Sequence, residues 1–183
     1  MTKQNKLYKM VYMGLLVSMA LVLSLIERML PVPFIAPGAK LGLANLIIVI
    51  SVYTLGIYKD SFIILILKIL LSSILGGSVS SLLYSISGGV LSFIVTILVK
   101  QLGRRYVSVI GVSTSAAVLH NVGQLFAASI IFKNFNIFLY LPILSMVGIG
   151  TGIFIGLSAN YILNHFSKSS YFNKMLNLDK IEI

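Results

Sequence analysis

The stretch AAVLHNVGQLFAAS, Ala116 to Ser129, lies within a run from Val107 to Phe132 that is nearly free of ionisable side chains, yet it carries His120, Asn121 and Gln124. An uncharged apolar run of that length suits a helix crossing roughly 30 Å of hydrocarbon, which takes about 20 residues. Polar side chains on such a helix are costly against lipid, so they are expected to face a protein interior or a water-filled chamber. His120 and Gln124 are four apart and share a helix face, with Asn121 on the adjacent edge, and Gly123 between them admits a close neighbour. The segment therefore reads as one wall of a polar pocket inside a membrane-embedded bundle.

The rest of the chain agrees with that reading. Apolar residues make up 58% of the 183 positions, only 10% are charged and the mean hydropathy is +1.03, values outside the usage of a soluble domain. Apolar runs bounded by charge, glycine or proline define six expected helices: Met10 to Leu30, Leu41 to Tyr58, Ser61 to Leu75, Ser78 to Val99, Val107 to Phe132 and Ile137 to Leu163. The expected fold is thus all-α, a single integral membrane domain of six transmembrane helices over residues 1–183. The third run is short for a full span, and the fourth is interrupted by Ser85, Ser87, Gly88 and Gly89. Both features are tolerable where protein surrounds the backbone.

A net charge of +10 could suggest nucleic acid, but the bases punctuate the gaps between apolar runs and are not gathered in a stripe with interleaved aromatics. They mark topology instead. With the N-terminus in the cytoplasm, Lys3, Lys6, Lys9, Lys59, Lys100, Arg104, Arg105, Lys168, Lys174 and Lys180 fall inside, leaving Arg28, Lys40 and Lys133 outside and Lys68 within a span. The bias places both termini in the cytoplasm of a multi-pass plasma-membrane protein. The first apolar segment has no clear small-x-small cleavage site, which favours an uncleaved helix over a signal peptide. Cysteine is absent, so a thiolate metal site is excluded, and the other histidine, His165, lies at the far end of helix six. No metal and no cofactor are expected.

Counting rise along each helix brings the polar residues to one depth. Lys68 lies about 12 Å from Asp60, near mid-membrane, where an ammonium costs about 2.5–3.5 kcal/mol on insertion scales. It should face the interior with Glu27 or a bound anion as partner. Glu27 ends helix one, Lys40 and Asn45 open helix two, Tyr84 and Ser85 lie on helix four, and His120, Asn121 and Gln124 on helix five. These nine residues form the expected substrate-binding set. The alternative is that Glu27 and Lys68 only lock helices one and three together. The linker PVPFIAPGAK, Pro31 to Lys40, cannot be a regular helix throughout and could cover such a pocket. Gly14 and Ser18, with Ala20 and Ser24, give helix one a small-residue face suited to another transmembrane helix. Gly88, Gly89, Gly148, Gly150, Gly152 and Gly156 on helices four and six include small residues four apart and read as close helix packing, and no Walker pattern is present.

At PGAKLGLANLIIV, Pro37 to Val49, SLLYSISGGVLS, Ser81 to Ser92, and AAVLHNVGQLFAAS, the chain resembles the Gx transporter family, also labelled heptaprenyl diphosphate synthase component I. That family looks related to the substrate-binding S components of energy-coupling factor transporters. The resemblance implies an outward-opening pocket for a small, anionic, partly apolar micronutrient or cofactor precursor. It also implies docking through Gly14, Ser18 and Ala20 on a transmembrane coupling subunit that works with two ATPases. At the Lys68 position the family pattern more often carries arginine; lysine keeps the charge but lacks the planar fork, so the choice of anion is open. Prenyl chain elongation needs clustered carboxylates for magnesium, and the four acidic residues, Glu27, Asp60, Asp179 and Glu182, are scattered. The chain is therefore expected not to be an enzyme; a non-catalytic accessory subunit of a prenyl, quinone or membrane redox system is the alternative.

Overall fold

The computed structural model describes residues 3–29, 41–56, 58–76, 78–103 and 105–168. Among them are six α-helices and one 3-10 helix: α1 (Lys3–Met29), α2 (Asn45–Thr54), α3 (Tyr58–Ile74), α4 (Val79–Gln101), α5 (Val109–Ile131), the 3-10 helix (Phe135–Tyr140) and α6 (Leu141–Ser167). No strand occurs among the described residues. Helices α1, α4, α5 and α6 are long and apolar enough to cross a membrane. With 17 residues, about 25 Å, α3 sits at the lower limit for a span.

Helix α2 departs most from the sequence expectation. The apolar run from Leu41 to Tyr58 is continuous, but the helix has only ten residues and is about 15 Å long, half the hydrocarbon thickness. Glycines turn the backbone at both ends, Gly42 at φ +86° and Gly56 at φ +65°, a conformation that L side chains rarely adopt. What makes so short a segment stable is enclosure. Asn45, every residue from Ile47 to Val52, and Thr54 are buried, and α2 touches each of the other five α-helices. A helix that is apolar on all sides belongs in an interior, and α2 is the axis of this bundle.

The surrounding helices divide their faces between α2 and lipid. On α1, Tyr12, Leu16, Ala20, Ser24 and Glu27 recur every three or four residues and are buried, while Val11, Leu15, Met19, Val22 and Ile26 on the other side are exposed and equally apolar. An apolar outer face is what a bilayer requires. The remaining three long helices are held close by glycines. A Cβ at Gly123 of α5 would lie 2.8 Å from the Cα of Gly88 on α4, and Ser87 Oγ donates to the Gly123 carbonyl at 2.6 Å. On α6, Gly148, Gly152 and Gly156 meet Val118, Thr114 and Ile110 of α5 in antiparallel register, with separations down to 2.5 Å from a virtual Cβ. This is the small-xxx-small packing expected from sequence. Gly150, expected from sequence among the packing glycines, instead faces away with nothing within 4 Å, because two residues along a helix turn it about 200° from Gly148.

Polar contacts secure the two ends of the bundle. At one end Lys9 pairs with Asp60, Tyr12 Oη donates to Thr54 Oγ1 at 3.0 Å, and Lys100 Nζ donates to the Val52 carbonyl at 2.7 Å while lying 4.6 Å from the Tyr53 ring centroid. Lys100 thus complements the carbonyl end of α2. At the other end Arg28 donates to the carbonyl and hydroxyl of Ser72 and ties α1 to the last turn of α3.

Replacing Gly152 with leucine should cost about 1–3 kcal/mol or more by overpacking, because Thr114 Cα and the Ser113 carbonyl leave no room. Gly150→Leu should be neutral. Unfolding by SDS in mixed micelles, followed by circular dichroism, measures both, and equal effects would show that the α5–α6 contact is not set by Gly152.

Candidate functional site

The start of α2 lies inside the bundle, and its polar groups meet side chains from α1, α3 and α5. Glu27, 3% exposed, accepts a hydrogen bond from the Gly42 backbone N–H. A carboxylate suits this place, because the turn carrying Gly42 leads into the positive dipole end of α2, although the Asn45, Leu46 and Ile47 N–H groups are already met by the Gly42, Leu43 and Ala44 carbonyls. Lys68, 8% exposed, extends from α3 to the same place; its Nζ donates to Asn45 Oδ1 over 3.5 Å, and Glu27 attracts it electrostatically. Among the described residues the layer thus holds one acid, Glu27, and one base, Lys68.

Gly42 allows α5 to join this layer. A Cβ there would lie 3.0 Å from Asn45 Nδ2 and 3.1 Å from His120 Cδ2, so the imidazole edge and the Asn45 amide both lie against the bare Cα. His120 and Gln124 also pack on Gly88 of α4, where a Cβ would come within 2.9 Å of His120 Nδ1 and 3.0 Å of Gln124 Cγ. Helices α3 and α5 do not touch directly. The α2 turn spans the gap between Lys68 and His120.

The expected residues divide among several places. Glu27, Asn45, Lys68, His120 and Gln124 are brought together. Asn121 turns the other way, and its Nδ2 donates to the Leu144 carbonyl of α6 at 2.8 Å, an interhelical bond beside Gly148. Tyr84, 1% exposed, packs on Ala128 with Ile131 and Ile137, and its hydroxyl has no hydrogen-bond partner among the described residues. Ser85 donates to the Ser81 carbonyl within its own helix at 2.7 Å. Lys40 and the linker from Pro31 lie outside the described residues. Gly14 and Ser18 share an exposed face of α1, where Ser18 Oγ donates to the Gly14 carbonyl at 3.0 Å. Ala20 does not belong with them: it is fully buried against the core, because its position falls on the stripe facing α2 and α3.

Several functional neighbours carry no obvious sequence signal. Ser72, which receives Arg28, and Gly42, which admits His120 and Asn45, are ordinary residues of an apolar run until the helices are placed. Outside the layer, two apolar grooves of about 610 and 250 Å³ lie between α4 and α5 and share Ile86, Ser87 and Phe126; the residues of the polar layer do not line them.

The fold and the layer together define a polytopic helical membrane protein with a buried polar centre. The chain belongs to the family described as heptaprenyl diphosphate synthase component I, which matches residues 16–162. No curated protein and no solved structure matches the chain.

Removing one member of a buried pair leaves the other uncompensated, at a cost of about 3–5 kcal/mol. Glu27→Gln and Lys68→Met should each destabilise on that scale, and the double variant should cost less than the sum. Additivity in the same SDS titration would mean that the two charges do not interact.

Proposed function

We propose that the chain is the ligand-binding membrane subunit of an energy-coupled transporter for a small, partly apolar molecule, and that it has no catalytic activity of its own. The observation that carries this reading is Lys68, held inside the bundle next to Asn45 and opposite His120 and Gln124, where a purely structural core would favour apolar packing. Energy must come from other subunits, since the sequence carries no nucleotide-binding pattern. The reading includes a coupling subunit with two ATPases, docked on the exposed Gly14 and Ser18 face of α1, where close helix approach is unhindered. It places both termini at the cytoplasmic face of the plasma membrane, because Lys6, Lys9, Lys59, Lys100, Arg105 and Lys168 belong to one end of the bundle.

The family's description favours a second reading, an accessory subunit of a prenyl diphosphate synthase. Magnesium-dependent prenyl transfer by this chain itself is disfavoured by the two acids among the described residues, which lie at opposite ends of the bundle: Glu27 accepts from Gly42 and Asp60 of α3 pairs with Lys9.

Tagged protein solubilised from its native membrane should co-purify with a transmembrane coupling protein and ATPases in stoichiometric amounts. Gly14→Leu with Ser18→Leu should reduce that recovery about tenfold, equivalent to roughly 1.4 kcal/mol, without changing stability. Stoichiometric recovery of a soluble prenyl synthase instead, unaffected by the double variant, would establish the accessory role and overturn the transport reading.

A further inference from the structure

The two apolar grooves between α4 and α5 adjoin along the seam of those helices, since Ile86, Ser87 and Phe126 line both. On α4 the lining runs from Leu83 to Ile94, a rise of about 16 Å. One leaflet of hydrocarbon is about 15 Å deep, half of the roughly 30 Å core, so the seam has the length of a single acyl chain. Its rims, Ile86, Ile94, Phe126 and Ile130, are exposed and would meet the bilayer. The floor is dry: Ser87 Oγ donates to the Gly123 carbonyl at 2.6 Å, and the other lining side chains are apolar. Water needs two or more polar partners to stay in such a place, and a polar ligand would find none.

At its Leu83 and Ile131 end the seam meets the turn that closes α5. The Asn134 N–H donates to the Ser129 carbonyl at 3.1 Å and the Lys133 N–H to the Ile130 carbonyl at 3.3 Å, the Schellman pattern, which puts Lys133 where glycine is usual. Lys133 accordingly has φ +49°, an uncommon conformation for a residue with a Cβ. Its backbone is bonded to Ile130, a lining residue, and its side chain is exposed with no ion pair among the described residues. Glycine would fit that position without strain, so the ammonium is what lysine adds there.

We propose that the α4–α5 seam binds one anionic phospholipid, with an acyl chain in the groove and the phosphate on Lys133. Basic residues at headgroup level attract anionic lipid, and an ammonium gives a phosphate oxygen a charge-assisted hydrogen bond. The groove supplies the affinity for the chain, and Lys133 the choice of headgroup. The site is separate from the polar layer and depends on neither reading of the protein's function.

Native mass spectrometry of the full-length protein in detergent, titrated with phosphatidylglycerol or with phosphatidylcholine of the same chains, tests it. Wild type should hold one phosphatidylglycerol at least about tenfold more tightly than phosphatidylcholine, a difference of roughly 1.4 kcal/mol. Lys133→Gly relieves the left-handed backbone, so it should resist SDS unfolding at least as well as wild type and yet lose that preference. Val90→Trp, which fills the groove at a lining position, should weaken both lipids about tenfold with the SDS midpoint unchanged. Equal affinity of wild type for the two lipids, or a preference that survives Lys133→Gly, would overturn the phosphate assignment and leave Lys133 as a helix cap only. Retention of no lipid, retention indifferent to Val90→Trp, or a dimer that Val90→Trp dissociates would overturn the lipid site itself.

Discussion

A helix that begins inside a membrane has to find partners for its first N–H groups without water, where each unsatisfied backbone group costs several kcal/mol. Helix α2 is such a helix, ten residues long and enclosed by all the others. The N–H groups of Asn45, Leu46 and Ile47 are met by the carbonyls of Gly42, Leu43 and Ala44 in a tight turn, and the Glu27 carboxylate takes the Gly42 N–H at the head of that turn, which fixes where α1 ends relative to α2. Lys68 of α3 is the described cation that this carboxylate attracts, and its ammonium donates to Asn45. One local requirement, the satisfaction of a buried helix start, thereby assembles a polar layer from three helices.

The remainder of the bundle gives that layer a fixed wall. Glycines press α4, α5 and α6 together so closely that side chains are excluded at Gly88, Gly123, Gly152 and Gly156, and the same close approach places His120 and Gln124 over Gly88. The far end of α2 is completed differently, with Lys100 at its last carbonyls and the Tyr12 hydroxyl on Thr54. Polar groups capable of recognising a ligand therefore concentrate at one end of α2, and structural ones at the other. That asymmetry is the physical basis for reading the Glu27–Lys68–His120 level, and not the Lys100 level, as the functional one.

Hydropathy made the long helices legible: the runs starting at Ser78 and Val107 coincide closely with α4 and α5, whose N-caps are Ser78 and Ser108. It could not show that α1 starts as far back as Lys3, because charged residues in a helix that leaves the bilayer interrupt an apolar run without interrupting hydrogen bonding. It also overextended the second helix, since Gly42 and Gly56 look like tolerated small residues in an apolar run until their positive φ is seen. The site was partly legible for a related reason. Glu27, Asn45, Lys68, His120 and Gln124 stand out because lipid penalises them, whereas the division of His120 from Asn121, adjacent in sequence yet facing α4 and α6, depends on helix rotation, which composition does not encode. Ala20 illustrates the same limit, being small enough for a docking face but turned into the core.

The enclosure of α2 is the claim on which the layer, the ligand site and the transport reading all depend. Because the chain contains no cysteine, single cysteines from Ile47 to Val52, all buried, can carry nitroxide labels, and paramagnetic broadening by oxygen then reports contact with lipid position by position. An enclosed axis predicts uniformly low oxygen accessibility along the whole segment. An oscillation with a period of 3.6 residues would mean that one face of α2 meets the acyl chains, and would contradict the account.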